Sequence, residues 1–402
     1  NKIIEEDLDI NVKILYIDGS KFEANANKMT FVWKKSSQKY YQNTWKKFIK
    51  LVKKLNRYFS REGIEVYYSL IKEPNIAYML EIADRVEKYM EANNIEFVHG
   101  KGKKKSEIQK LYDELKEYAI RISKYIMHFD ICGDRNSFSK TDPDATFMKM
   151  KYDYYNHTNV FKPGYNVQFG ISDGFIRNVY VSSDCNDLPT YIPFMEKYYQ
   201  AYGEYPEKTP ADAGYGSYDN YMFCKKHEID LYMKYSGYYK EQEKKTEKNQ
   251  FKVSQMRQED GSYVCPQGYK FEFVRETINT KGQYKKVNQI LENKHCKGCP
   301  LKSKCTKSKG NRKITNNEKL NQMKKEVRDN LASEVGKEYI KWRQIYSEGV
   351  FGILKEDHHY SKLRRRGESG VKLEITLVAI GFNIRKYHKM MMEKRKKEAL
   401  IN

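Results

Sequence analysis

Apolar and polar positions along this chain follow several distinct periods. Val12-Lys13-Ile14-Leu15-Tyr16-Ile17 is a β-branched apolar run of strand length, closed by Asp18-Gly19. From about Lys39 to Tyr125 the period lengthens to 3.6, as in Trp45, Phe48, Ile49, Leu51, Val52 and Leu55 or Ile108, Leu111, Tyr112 and Leu115. This predicts a helical insertion of roughly 90 residues, with a basic break at Gly100-Lys101-Gly102-Lys103-Lys104-Lys105. Gly164–Ser172 and Phe175–Ser182 then read as two strands joined by Asp173-Gly174, a strong hairpin signal. After them come a helix from about Leu188 to Tyr202, a short strand ending at Asp212, a helix from Tyr218 to Lys226 and a strand from Asp230 to Tyr235. That order predicts an α/β fold with a mixed sheet, antiparallel at the hairpin and parallel across the helical crossovers. Tyr238 to Lys313 reads as Lys-rich and strand-poor, and helical pattern resumes from Glu318 to Lys355 and from Val371 to about Met391. The expected divisions are 1–38, a helical insert at 39–140, 141–237, a Cys-rich insert at 238–315, and C-terminal helices at 316–402.

Composition adds a partner. Among 402 residues, 75 Lys and Arg stand against 53 Asp and Glu, a formal charge of +22. Such an excess predicts a polyanionic partner, because clustered cations release counterions from nucleic-acid phosphates. The 35 Tyr recur beside Lys, which suits phosphate contact and base stacking, and equally suits amphipathic helices. No apolar run approaches the length of a membrane span and no signal peptide is evident, so a cytoplasmic, nucleoid-associated protein is the expectation. No Gly-x4-Gly-Lys-Ser/Thr loop occurs, which excludes a P-loop nucleotide site.

The candidate chemistry lies in carboxylates and thiols. Thr209-Pro210-Ala211-Asp212-Ala213-Gly214-Tyr215-Gly216-Ser217 reads as a strand end, a carboxylate and a glycine-permitted turn before a Ser-capped helix. A carboxylate at the carboxyl edge of an open α/β sheet is placed to bind a cation, although Asp is also common as a mere cap. Asp18 stands at a similar strand end, where Asp-Gly is equally the signature of a plain turn. Glu348, Gly352 and Lys355 fall at i, i+4 and i+7, one helix face that could serve a metal and an anionic backbone or simply be solvated. Ser361-Lys362-Leu363-Arg364-Arg365-Arg366-Gly367 is a dense cationic turn. Seven Cys occur, and Cys265, Cys296, Cys299 and Cys305 have a spacing that can surround one tetrahedral Zn2+, with His295 as neighbour. Free or redox thiols are the competing reading of those four. Cys132, Cys185 and Cys224 lack such spacing and read as core residues.

Ile17-Asp18-Gly19-Ser20-Lys21 with Glu23 to Lys28, Pro163 to Gln168, Ala211-Asp212-Ala213-Gly214-Tyr215, and Glu348-Gly349-Val350-Phe351-Gly352 with Lys355 occur in one order. In that combination the chain resembles the DDE transposases of bacterial insertion sequences, in the branch with a helical insert and a Cys-rich, zinc-ribbon-like insert. The resemblance implies an RNase H-like core and a catalytic triad of Asp18, Asp212 and Glu348 holding two divalent ions, Mg2+ or Mn2+. It implies DNA cleavage and strand transfer, with DNA ends and target as partners and a homodimer as the working state. Lys21, Arg343, Lys355, Arg364, Arg365 and Arg366 are the expected nucleic-acid contacts. Arg343 lies one residue further from Glu348 than in the commonest Tyr, Arg, Glu, Lys signature, and Tyr339 shifts similarly. Asp144 competes with Asp18 for the first position. The small helical DNA-binding domain usual ahead of the first strand is expected to be missing here. A binding protein without catalysis, and a metal-dependent nuclease of RNA or DNA without strand transfer, are the alternative functions.

Overall fold

The computed structural model describes residues 1–100, 102–150, 160–242 and 249–401, so Lys101 of the expected basic break lies outside the described residues. The chain forms two compact units, one of Asn1–Glu23 with Tyr165–Asn402, the other of Ala24–Gly164.

The first unit is built on a mixed sheet. Its strands are β1 (Tyr16–Glu23), β2 (Phe161–Ser172, whose first residues belong to the other unit), β3 (Phe175–Ser182), β4 (Ala211–Gly216) and β5 (Met233–Tyr235). They lie in the order β3-β2-β1-β4-β5, with β2 and β3 antiparallel and β4 parallel to both β1 and β5. The hairpin turns where the sequence places it, because Asp173 and Gly174 both take positive φ, 46° and 78°, as a two-residue turn between right-twisted strands requires. From Tyr165 to Ser172 every residue of β2 is buried, so this strand is covered on both faces.

Helices α1 (Tyr191–Tyr202), α2 (Tyr218–Lys226), α3 (Glu318–Ala332), α4 (Glu334–Gly352) and α5 (Glu368–Ile401) are among those that cover the sheet. Tyr191, Phe194, Tyr221, Phe223 and Val327 from α1, α2 and α3 join Leu15, Ile17 and Leu231 in one core. Against β1, α4 lays Tyr346 on Tyr16 (ring centroids 5.2 Å) and Phe351 on Phe22 (6.5 Å). Asn383 of α5 accepts from Ile176 N (2.9 Å) and donates to Ile176 O (2.7 Å), completing the hydrogen bonds of β3. Between α3 and α4, the helical run of Glu318 to Lys355 breaks at Ser333, whose hydroxyl caps α4 by accepting from Gly336 N (3.0 Å).

Two expected features differ. The segment read as strand-poor carries an antiparallel sheet of β6 (Glu272–Asn279), β7 (Lys286–Asn293) and β8 (Arg312–Asn316). β6 is almost wholly exposed, and its order Glu272-Phe273-Val274-Arg275-Glu276-Thr277 shows no polar–apolar alternation, so the sequence carries no strand period there. Secondly, α4 ends in a π-helical turn at Ile353–Asp357, so the 3.6-residue period does not carry the Glu348 face through to Lys355.

The second unit packs helices Lys34–Arg61, Ile76–Ala92 and Glu107–Cys132 around Phe48, Leu55, Ile82, Val86, Leu115 and Ile122. Asn75 and Ser106 cap the last two, accepting from Tyr78 N (3.1 Å) and Gln109 N (3.2 Å). Short strands Phe31–Trp33 and Ser137–Ser139 pair antiparallel, and Thr146–Lys149 pairs with Phe161–Gly164. Asp144, the competitor for the first acidic position, precedes that last pairing. His128 is buried with Nδ1 3.0 Å from Ser37 Oγ. Burial, then the charges of Lys124 and Lys140, lowers its pKa below 6.5. In that window the unfolded chain binds the proton that the folded unit refuses, so stability falls as pH drops below about 6.5. His128→Gln is expected to flatten this slope in urea titrations at pH 7 and pH 5. An unchanged slope would assign the acid sensitivity elsewhere.

Candidate active site

The site starts from the pairing of β1 and β4. Ile17 N donates to Pro210 O (3.0 Å), and Ile17 lies in register with Ala211. In parallel strands the next residues point the same way, so Asp18 and Asp212 stand on neighbouring strands at matching positions. Neither ends its strand as expected, since β1 continues through Asp18-Gly19 to Glu23 and β4 through Asp212 to Gly216. Buried Phe22 and Tyr215 carry the strands onward into the core. The glycines read as turn residues serve close packing instead. A Cβ on Gly216 would come within 2.0 Å of Lys234 O on β5, and one on Gly19 within 2.3 Å of Gln168 Oε1.

Asp18 is the more enclosed of the two aspartates, half-buried where Asp212 is exposed, and Arg343 approaches it at 3.4 Å (Nη1 to Oδ2). Gly19 N also donates to Asp18 Oδ1 at 2.9 Å. Ser347 Oγ, buried on α4, faces Asp18 and favours its charged form, although it completes no hydrogen bond of full geometry. The carboxyl pKa is nonetheless raised, by burial first and then by the negative charge of Asp212, against the opposing pull of Arg343, Gly19 N–H and Ser347. Arg343, expected as a DNA contact, is thus turned inward to neutralise Asp18.

Glu348 follows Ser347 on α4 and is exposed, as is Asp212. Among the described residues no three His, Cys, Asp or Glu side chains are gathered closely enough to hold an ion. Asp18 and Asp212 are therefore the close pair, and Glu348 stands on the helix that covers β1. Lys355 Nζ donates to Ser20 Oγ (2.6 Å) and Lys21 O (2.8 Å) and lies 4.4 Å from the centre of the Phe22 ring. It ties the π-turn to β1 just past Asp18. The cationic turn is held by buried Glu374, which accepts from Arg364 N and Arg365 N at 2.8 Å each, and from Tyr360 OH. The side chains of Arg364, Arg365 and Arg366 remain exposed.

Cys265, Cys296, Cys299 and Cys305 are free thiols and line one small cavity with His295 and Arg312. Arg312 Nη1 donates to Cys305 Sγ (2.8 Å) and Arg312 N to Cys296 Sγ (3.3 Å). Tyr269 stacks on His295 at 4.3 Å. The four cysteines share this wall without being drawn to ligand distance. Cys132 and Cys224 are buried as expected, and Cys185 is half-buried.

Sequence reasoning missed Asp187, Gln168 and Asn166. Asp187 Oδ1 accepts from Asn166 Nδ2 (2.7 Å) and Gln168 Nε2 (3.2 Å), while Gln168 Oε1 accepts from Tyr215 OH. The readable signal was the pair of amides at 166 and 168 inside an otherwise apolar strand. Buried polar side chains of that kind need partners.

Residues 264–388 match the family described as Transposase DDE domain, a span that holds Glu348, Lys355 and the four cysteines but neither Asp18 nor Asp212. No curated protein and no solved structure matches the chain. Over that segment the chain is similar to transposase DDE domains.

Proposed function

We propose that the chain cuts and rejoins DNA at a divalent-metal site formed by Asp18 and Asp212, with Glu348 as the third carboxylate. The observation that carries this reading is the matching position of Asp18 and Asp212 on parallel neighbouring strands, in a chain with a transposase DDE segment. The strand order, an antiparallel hairpin beside β1 followed by two parallel strands, supports an RNase H-like core.

Adjacent carboxylate oxygens fit a hard cation such as Mg2+ or Mn2+. When bound, a pair of such ions activates the attacking oxygen and stabilises the leaving one in phosphodiester transfer. Asp18 and Asp212 would hold the metal side of the site. Arg343 stands in as countercharge to Asp18 and must yield part of that contact to a divalent ion. Glu348, exposed on the helix that packs against β1, would be the third carboxylate. Arg364, Arg365 and Arg366, on a turn anchored by Glu374, supply phosphate contacts, and with a formal charge of +22 the binding is salt-sensitive. The partner is DNA, and two copies of the chain would hold two ends. No helix among the described residues is long and apolar enough to cross a membrane.

Nicking of supercoiled plasmid with Mg2+ or Mn2+ tests the reading. DNA binding without any metal-dependent nicking would leave a binding protein in its place. The thiol cavity is proposed as a structural Zn2+ site that Cys265, Cys296, Cys299 and Cys305 would hold, on the strength of the one cavity they line together. Elemental analysis of the purified protein is expected to find about one Zn2+ per chain, lost in Cys296→Ser. A wild-type protein free of zinc would return these cysteines to the role of thiols.

A further inference from the structure

The paired register between β1 and β4 ends at Ile17 and Ala211, one residue before the two aspartates. The pairing of β4 with β5 is irregular over the same stretch, between Ala211 and Gly216. The part of β4 that carries Asp212 thus has little ladder of its own to fix its distance from β1. Yet a metal site needs its carboxylates held to a fraction of an ångström.

We infer that Asp187, through Gln168 and Tyr215, is a positioning residue that clamps the aspartate-bearing ends of β1 and β4 together. Gln168 on β2 lies against Gly19, the residue after Asp18, close enough that a Cβ there would displace its amide. The same Gln168 accepts from Tyr215 OH, three residues beyond Asp212. Asp187 Oδ1 takes the amides of Gln168 and Asn166, and its Oδ2 would stand 3.0 Å from a Cβ on Gly214, two residues beyond Asp212. Asn166, Gln168 and Tyr215 are all but fully buried, whereas Asp187 is half-buried, just before the short turn of helix leading into α1. Burial and the carboxylates of Asp187, Asp18 and Asp212 hold the Tyr215 phenol far above its usual range, so it stays a donor to Gln168. The network does by side chains what the missing ladder does elsewhere. Its anionic acceptor makes each amide contact stronger than a neutral one.

This inference rests on the metal-site reading for its purpose but not for its existence, and two measurements separate them. In Asp187→Ala, amide hydrogen exchange across residues 18–23 and 211–216 is expected to quicken at least about tenfold, with the other strands unchanged and Tm lowered by no more than about 4 °C. Mn2+ alone, followed by electron paramagnetic resonance, is expected to bind the same variant about tenfold more weakly or worse, as for lost outer partners of metal ligands. Asp187→Asn keeps an oxygen acceptor and should recover much of both. Unchanged exchange in Asp187→Ala overturns the clamp, and altered exchange with wild-type Mn2+ affinity overturns its service to the carboxylates. If Asp212→Asn leaves wild-type Mn2+ binding intact, the metal-site reading fails and the exchange measurement alone decides the clamp.

Discussion

Asp212→Asn is expected to lower metal-dependent plasmid nicking by at least about two orders of magnitude, more than the loss typical of an outer partner of a metal ligand. The substitution keeps the shape of the side chain and removes only its charge. Asp212 is exposed on β4, so the strand should fold as before and DNA binding through the cationic turn should persist. On this reading the loss is local, because Asp18 and Asp212 each follow one member of the register pair Ile17 and Ala211 and would hold one ion together. Glu348→Gln, made in parallel, asks whether the exposed carboxylate on α4 belongs to the same site. Nicking at wild-type rate in Asp212→Asn would remove the carboxylate pair from the chemistry. Loss of DNA binding along with nicking would point to a folding defect instead.

The second large effect concerns how α4 is held. Phe169 is fully buried on β2 and stacks on Phe351 of α4, with ring centroids 5.1 Å apart and planes at 22°. Phe351 in turn meets Phe22 on β1. Phe169→Ala would leave a cavity beneath the helix that carries Arg343, Ser347 and Glu348, and a buried Phe→Ala change costs about 3–5 kcal/mol. Urea unfolding should show that loss, and nicking should fall with it because Arg343 and Ser347 would no longer be held against Asp18. A change below about 1 kcal/mol, the size of an ordinary surface substitution, would mean that α4 rests on other contacts.

Much of this architecture is legible from local pattern. The Asp173-Gly174 hairpin follows from the φ values those residues tolerate. The α2 helix starts where Ser217 can cap it, its hydroxyl accepting from Asn220 N at 3.2 Å. The charge of +22 and the order of the acidic motifs require no coordinates at all. These features depend on residues close in sequence or on sums over the chain, which a single sequence contains in full.

Other features depend on which residues meet across the fold. Asp18-Gly19 and Asp212 to Gly216 look like turns locally, yet both continue as strands, packed so closely that Gln168 and the β5 backbone lie where a Cβ at Gly19 or Gly216 would stand. The direction of Arg343, inward to Asp18, rests on how α4 lies on β1, and helix periodicity cannot set which neighbour a face meets. The π-turn that brings Lys355 onto Ser20 and Lys21 is likewise a product of that packing. What the amino-acid order determined by itself is the helical insert, the hairpin and the alternation of strand and helix around the mixed sheet, together with the excess of positive charge and the candidate carboxylates. Only the tertiary structure decided that Asp18 and Asp212 lie side by side, that Arg343 neutralises the first, and that Asp187 joins their strands, since each of these relations links side chains far apart along the chain.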